Sequence, residues 1–271
     1  MLLKTAGIAL VSLVLAAQVP TEPGRGVNFY NFEKEEALGS RMATDTRERT
    51  APVDDPEIAG YIERLGNQLA EKIPGRTWHW RFAVIRDDRG GSTREPLSFP
   101  GGYIFVSVHL IGAVHDQAEL AGMLAHAMAH VAERHGTRQA TRGEIANLST
   151  IPLVFTGGWS GLGADNTNLV PVGFLSFQRK NEIEADRLAV HVMADAGFNP
   201  SALVRYIERT QIDAAGQSVL FSALPTRQRR VAALEQAIAD LPAVDFQSIQ
   251  DKARHVVDSQ KPEPPSLLKR R

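Results

Sequence analysis

The chain contains no cysteine. Disulfides, thiolate nucleophiles and Cys-based zinc sites are therefore excluded, and any transition-metal site has to be built from histidine and carboxylates. Charge of one sign is also lacking. The 30 Lys+Arg against 31 Asp+Glu leave a formal net charge of -1, which offers no whole-chain attraction to nucleic acid or to an anionic membrane. Beyond residue 17 no segment has the 18 or so uninterrupted apolar residues that spanning a bilayer requires. Histidine is scarce, with eight in all, yet His109, His115, His126 and His130 crowd into one short stretch. What remains is an ordinary globular balance, 43% hydrophobic and 23% charged over 271 residues, enough for one large domain with a sizeable core.

The N-terminus carries Lys4 and then an apolar run from Ala6 to Ala17 broken only by Gly7 and Ser12. Residues 1–17 read as a secretory signal peptide, with Val14-Leu15-Ala16 suiting a cleavage site. No Cys follows, which argues against a lipoprotein anchor. The expectation is an exported chain of the periplasm or cell envelope, soluble after cleavage, with an extended segment over 18–29.

The most informative feature is His126-Ala127-Met128-Ala129-His130. Residues four apart on an α-helix differ by about 40° in azimuth and roughly 6 Å in rise, so two imidazoles at that spacing leave one face and can grip one cation. The usual zinc-peptidase helix has Glu directly after the first His, as general base for a metal-bound water. Here Ala127 fills that slot and cannot move a proton.

Around this motif the pattern is mostly helical. Phe32 to Arg49 reads as a surface helix. Asp55-Pro56 opens a second helix whose stripe is Ile58, Ile62, Leu65 and Leu69. Trp78 to Ile85 alternates as a strand, Asp87 to Gly91 is a turn, and Tyr103 to Val108 is a second strand after Pro100-Gly101-Gly102. A short apolar helix spans Leu110 to Val114. Asp116 with Glu119 makes a capping box for the metal helix, expected from Gln117 to Gly136. Segment 151–175 is rich in Gly, Asn and Pro and suits a loop or lid. Further helices are expected over Phe174–Ala196, Ser201–Ile212 and Thr226–Leu241. The main domain is thus 30–241, and 242–271 is a C-terminal helix and disordered tail.

Catalytic zinc commonly takes two His, one Glu and water. The helix after Phe174 offers Glu182, Glu184 and Asp186. Glu182 and Asp186 share a face, so Glu182 can enter the metal shell while Asp186, one turn along, accepts the outer N–H of a ligating imidazole. Glu184 points elsewhere. His109, His115 and His191 read as structural or solvent-facing. His135, about 180° round the helix from His126, cannot join the same metal if that helix continues. Glu133, roughly 10 Å along the axis, is too remote to replace the base, and no other replacement is visible.

These stretches together resemble the gluzincin zinc metallopeptidases related to the CAAX prenyl protease, in the soluble exported branch of BepA, HtpX and Oma. The resemblance is carried by Phe99 to Ile104, Glu119 to Gly136, Arg179 to Arg187, Ala196 to Pro200 and Pro225 to Leu234, and covers roughly residues 30–240. It implies a mainly helical α+β zincin-type domain with a small antiparallel sheet beside the metal helix. It implies one Zn2+ held by His126, His130 and Glu182, with Asp186 behind them. It also implies a substrate-pairing edge at Gly101, Gly102, Tyr103 and Ile104 that binds extended or unfolded polypeptide. The chain departs from the family pattern at three places: Ala127 at the vacant base position, Leu224 where a His usually precedes the last motif, and Arg94-Glu95-Pro96-Leu97 in place of an Asn-Ala-Phe type stretch. A single departure such as Ala127 could be an inactivating laboratory change, whereas three separate departures read as drift of a degenerate paralogue.

Two functions of different class remain open. One is a zinc metalloendopeptidase of envelope protein quality control, impaired because its base is missing. The other is a pseudopeptidase that holds polypeptide as a chaperone or adaptor without cutting it.

Overall fold

The computed structural model describes residues 23–86, 95–147, 172–211 and 225–242, with residue 246. The expected signal peptide, the expected turn at Asp87 to Gly91, most of segment 151–175, Leu224 and the expected disordered tail lie outside the described residues.

Helix α1, Phe32–Arg49, is capped by Asn31, which accepts the N–H of Lys34. Helix α2, Pro56–Ala70, starts where Asp55 accepts the N–H groups of Glu57 and Ile58, and it buries Ile62, Leu65 and Leu69. The central helix α4, Gln117–Ala132, follows the short α3, Val108–Ala113. Asp116 accepts the N–H of Glu119 at 2.8 Å, and the Glu119 carboxylate takes the N–H of His115 at 2.8 Å, so the capping box closes one residue early. α4 is buried nearly all round, with Met123, Leu124, Ala125, Met128 and Ala129 fully enclosed. α6, Val172–Asp195, and α7, Ser201–Thr210, lie against it. A Cβ on Gly122 of α4 would come 3.0 Å from Leu203 and 3.3 Å from Met193, so the missing side chain is what allows these helices to pack so closely. α8, Arg227–Ala239, packs on α6 and α7.

The sheet differs from the expected antiparallel one. Its order is β1 (Ala51–Pro52), β2 (Arg81–Arg86), β4 (Tyr103–Ser107), β3 (Leu97–Phe99). β2 and β4 are parallel, while β1–β2 and β3–β4 are antiparallel. The reason is β3, three residues too short to show a period. It forms a hairpin with β4 through Pro100 to Gly102, and β4 returns alongside β2 in the same direction. The turn needs glycine: Gly101 and Gly102 have φ of 82° and 95°, and a Cβ on Gly102 would meet the His79 carbonyl at 2.7 Å.

α4 also departs from expectation. It stops at Ala132, because Arg134 adopts φ 56°, and a new helix α5, His135–Asn147, leaves in another direction. Glycine would take such a left-handed conformation freely, whereas arginine has to be held there. The Arg134 guanidinium donates to Glu35 Oε1 at 2.9 Å and to the Tyr30 carbonyl, and it lies 4.4 Å from the Phe32 ring centre. α1 therefore dictates where the metal helix ends. Among the described residues no helix is long and apolar enough to cross a membrane.

Candidate metal centre

α4 presents His126 and His130 to Glu182 of α6. The two Nε2 atoms are 3.1 Å apart. Glu182 Oε2 lies 3.5 Å from His126 Nε2, and its Oε1 lies 3.6 Å from His130 Nε2. Four ligands placed tetrahedrally at zinc bond lengths of about 2.0–2.1 Å sit about 3.4 Å apart, so the three separations suit one small cation. The chemistry of the donors suits it too. Glu182 Oε2 is buried with no hydrogen-bond partner, a costly state for a carboxylate oxygen unless a cation takes it up.

Asp186 Oδ1 lies 2.8 Å from His126 Nδ1, close as an ion pair though out of line for a good hydrogen bond. Asp186 is itself clasped by Arg230 of α8, whose Nε and Nη2 each donate at 2.8 Å. Both residues are fully buried, and burial makes a bidentate pair of this kind expensive to break. Burial alone would lower the His126 pKa; Asp186 and Glu182 outweigh it and raise it to about 9 in the metal-free chain. Burial pushes Glu182 upward, but His130 and His126 hold it well below the ordinary carboxylate range. Asp186 is lowered against its own burial, chiefly by Arg230.

His135 lies beside this site, without joining the donor triangle, because the helix does not continue past Arg134. Because α4 ends early, its ring folds back so that Nδ1 is 3.1 Å from His130 Nδ1, while Nε2 is 3.1 Å from Glu184 Oε2. Glu184 points away from Glu182, and the turn brings His135 to it. Burial, with His130 and Arg138 nearby, lowers the His135 pKa to about 4 despite Glu184, so the ring is neutral at neutral pH. Glu133 accepts the Gly24 N–H at 2.8 Å and does not line the metal cavity. His109 and His115 are exposed and His191 is half-buried.

A cavity of about 70 Å³ opens on the donors. Its wall includes His126, Ala127, His130, Glu182, Ser98 and Phe99. Tyr103 and Ile104 lie on β4, which is paired on both sides, and Gly101 and Gly102 form the turn, so none of these four presents a free edge. Among the described residues the outer strand on the cavity side is β3. Two further carboxylates border the cavity, Glu35 and Glu95. Glu35 is held by Arg134 and by Thr137, and Glu95 lies 3.3 Å from Arg230. Glu35 sits on a distant helix and no sequence pattern marks it, whereas Glu95 falls in the Arg94-Glu95-Pro96-Leu97 stretch that departs from the family pattern, with no local signal for a carboxylate at the cavity. Arg230 lies within the Pro225 to Leu234 match, but as one arginine among several at the start of α8 it carries no local signal of its pairing with Asp186.

The chain is 31% identical over 217 residues to the mitochondrial metalloendopeptidase OMA1 of Schizosaccharomyces pombe, a match spanning 76% of this chain and 61% of the relative. It is 25% identical over 214 residues to the beta-barrel assembly-enhancing protease of Escherichia coli, covering 74% and 43%. It is 26% identical over 188 residues to the protein of that name from Yersinia pestis, covering 66% and 38%. The chain thus spans about two-fifths of the length of these two bacterial relatives. The sequence profile of peptidase family M48 matches residues 56–238, from the start of α2 to the end of α8, and the chain belongs to that family.

Proposed function

We propose that this chain is a zinc-binding member of family M48 that has lost most or all peptide-bond cleavage and acts by holding extended polypeptide. One observation carries the reading: the donor triangle of His126, His130 and Glu182 is intact and partly unsatisfied, while the neighbouring base position is Ala127. His126, His130 and Glu182 would hold the ion. Asp186, braced by Arg230, orients His126. Zinc in such a site polarises a carbonyl and acidifies a bound water. The chain supplies no group at position 127 to accept that water's proton, an assistance worth on the order of 10²–10⁴-fold. The backbone of β3 is suited to pair with an extended segment laid along the cavity. Export to the cell envelope and a role in protein quality control complete the proposal; the apolar N-terminal run and the relatives named for assembly of beta-barrels support them.

A second reading, a slow endopeptidase, is favoured by Glu95 on the cavity wall. One assay separates the two. Zinc-loaded chain is incubated with unfolded casein beside Ala127→Glu, His130→Ala and Glu95→Gln. Cleavage by Ala127→Glu alone, about 10²–10⁴-fold above the parent, is the expected result. Cleavage by the parent that chelator and His130→Ala both abolish would refute the non-cleaving assignment, and its loss in Glu95→Gln would identify the substitute base.

A further inference from the structure

Behind His130 lies a second group of titratable side chains, Glu133, His135 and Glu184, whose donor atoms fall within 4.8 Å of one another. Its composition is that of a metal site, but its surroundings argue otherwise. Arg138 Nη1 is 3.6 Å from Glu184 Oε2 and 3.9 Å from Glu133 Oε2, so a cation already serves both carboxylates. Glu133 also accepts the Gly24 N–H. Both nitrogens of His135 are taken, one by His130 and one by Glu184.

Proton counting then decides the roles. A neutral imidazole has one N–H and one lone pair, and an ionised carboxylate only accepts. Facing Glu184, His135 must carry its proton on Nε2. Its Nδ1 is therefore an acceptor, and the partner His130 must carry its own proton on Nδ1. The remaining lone pair of His130 is on Nε2, the atom 3.1 Å from His126 Nε2 and 3.6 Å from Glu182 Oε1. Were a cation to take His135 Nε2 instead, His135 would carry its proton on Nδ1, and His130 would lose the lone pair that faces the donor triangle.

We infer that Glu184 and His135 are positioning residues that fix the His130 tautomer through a carboxylate–imidazole–imidazole chain, so that Nε2 is presented to a divalent cation. The inference rests on the metal-binding reading above. Each ligating imidazole then has its own carboxylate behind it: Asp186 directly for His126, and Glu184 through His135 for His130. All the acids come from α6. Glu184 lies about 200° round that helix from Glu182, and it reaches His130 only because the chain turns at Arg134.

The test uses the full chain and zinc alone, with affinity measured by competition with a chromophoric chelator. Glu184→Ala and His135→Leu should each weaken zinc binding about tenfold or more, as loss of an outer-shell partner does. His135→Gln, whose amide can accept at Oε1 and donate at Nε2, should recover most of that loss. The melting midpoint of metal-free Glu184→Ala should stay near the parent's, since this carboxylate is half-exposed. Nitrogen NMR of the zinc-loaded parent should show His130 protonated on Nδ1. Should His135→Leu fail to fold, Glu184→Ala carries the comparison by itself. Zinc affinity within twofold of the parent in the variants that fold would overturn the inference, as would a second zinc that Glu184→Ala removes. A parent that binds no zinc overturns the metal-binding reading along with it, whereas a parent that binds zinc beside unaltered variants sinks this inference alone.

Discussion

Single residues carry most of the chemistry here. Arg230 and Asp186 form a bidentate pair with neither side chain reaching solvent. Arg230→Met strands the Asp186 carboxylate in the interior, and denaturant unfolding should show a loss of roughly 3–5 kcal/mol. His135 makes a pH-dependent contribution of definite sign. Its folded-state pKa is about 4, below the ordinary 6.5. Between those values the unfolded chain takes up a proton that the folded chain refuses, so stability is fully present above about pH 6.5 and falls by up to about 3 kcal/mol as the pH drops toward 4. Unfolding of the metal-free chain near neutrality and near pH 4 should show this loss, and His135→Gln should remove that part of it. An acid dependence identical in parent and variant would contradict the assignment. Helical spacing is local, so residue identity along α4 sufficed to pair His126 with His130 and to mark Ala127 between them, whereas Glu182 comes from another helix and was one of three acids that helix offered. Identity and spacing did not suffice for His135, whose place depends on one backbone conformation at Arg134.

At the level of elements, boundaries with local causes were legible. Asp55 and Asp116 cap helices by bonding to backbone groups two or three residues away, and such signals are readable along the chain. The end of α4 was not, since Arg134 is held in its left-handed conformation by Glu35, Tyr30 and Phe32 about a hundred positions earlier. The parallel β2–β4 pairing escaped for a similar reason, as the three-residue β3 carries no periodic signal. Packing between elements gives a ranked prediction. A Cβ on Gly39 of α1 would lie 1.7 Å from the Pro100 carbonyl oxygen, whereas one on Gly66 of α2 would meet the Phe82 ring at 2.2 Å. A half-buried ring can turn aside, but the backbone of the glycine turn cannot yield without moving β3 and β4. Gly39→Ala should therefore cost more than Gly66→Ala, with Gly39→Ala at the upper end of, or beyond, the roughly 1–3 kcal/mol of an overpacked core. Melting curves of the two variants check the order.

For the molecule as a whole, the donor triangle joins α4 to α6 across the segment 148–171. A ligand that binds only this folded arrangement stabilises it by mass action, about 2.7 kcal/mol at a free concentration one hundred times its dissociation constant. For a domain of this size that corresponds to a rise of roughly 5–10 °C in melting temperature. Scanning calorimetry with zinc, and again after chelation, measures it directly; a midpoint that does not move with zinc would rule out a site of useful affinity. The same reasoning predicts that His130→Ala abolishes the zinc-dependent rise while leaving the metal-free midpoint close to that of the parent, because His130 is only partly buried.

The amino-acid order alone determined that two histidines stand one helical turn apart, that the residue after the first is alanine, and that cysteine chemistry is absent, since each follows from residue type and nearest-neighbour geometry. Tertiary structure decided which carboxylate backs which imidazole, which strand faces the cavity, and where the metal helix stops. Those outcomes depend on contacts between segments tens to more than a hundred residues apart, and no periodicity along the chain encodes which distant side chain will hold a given backbone angle.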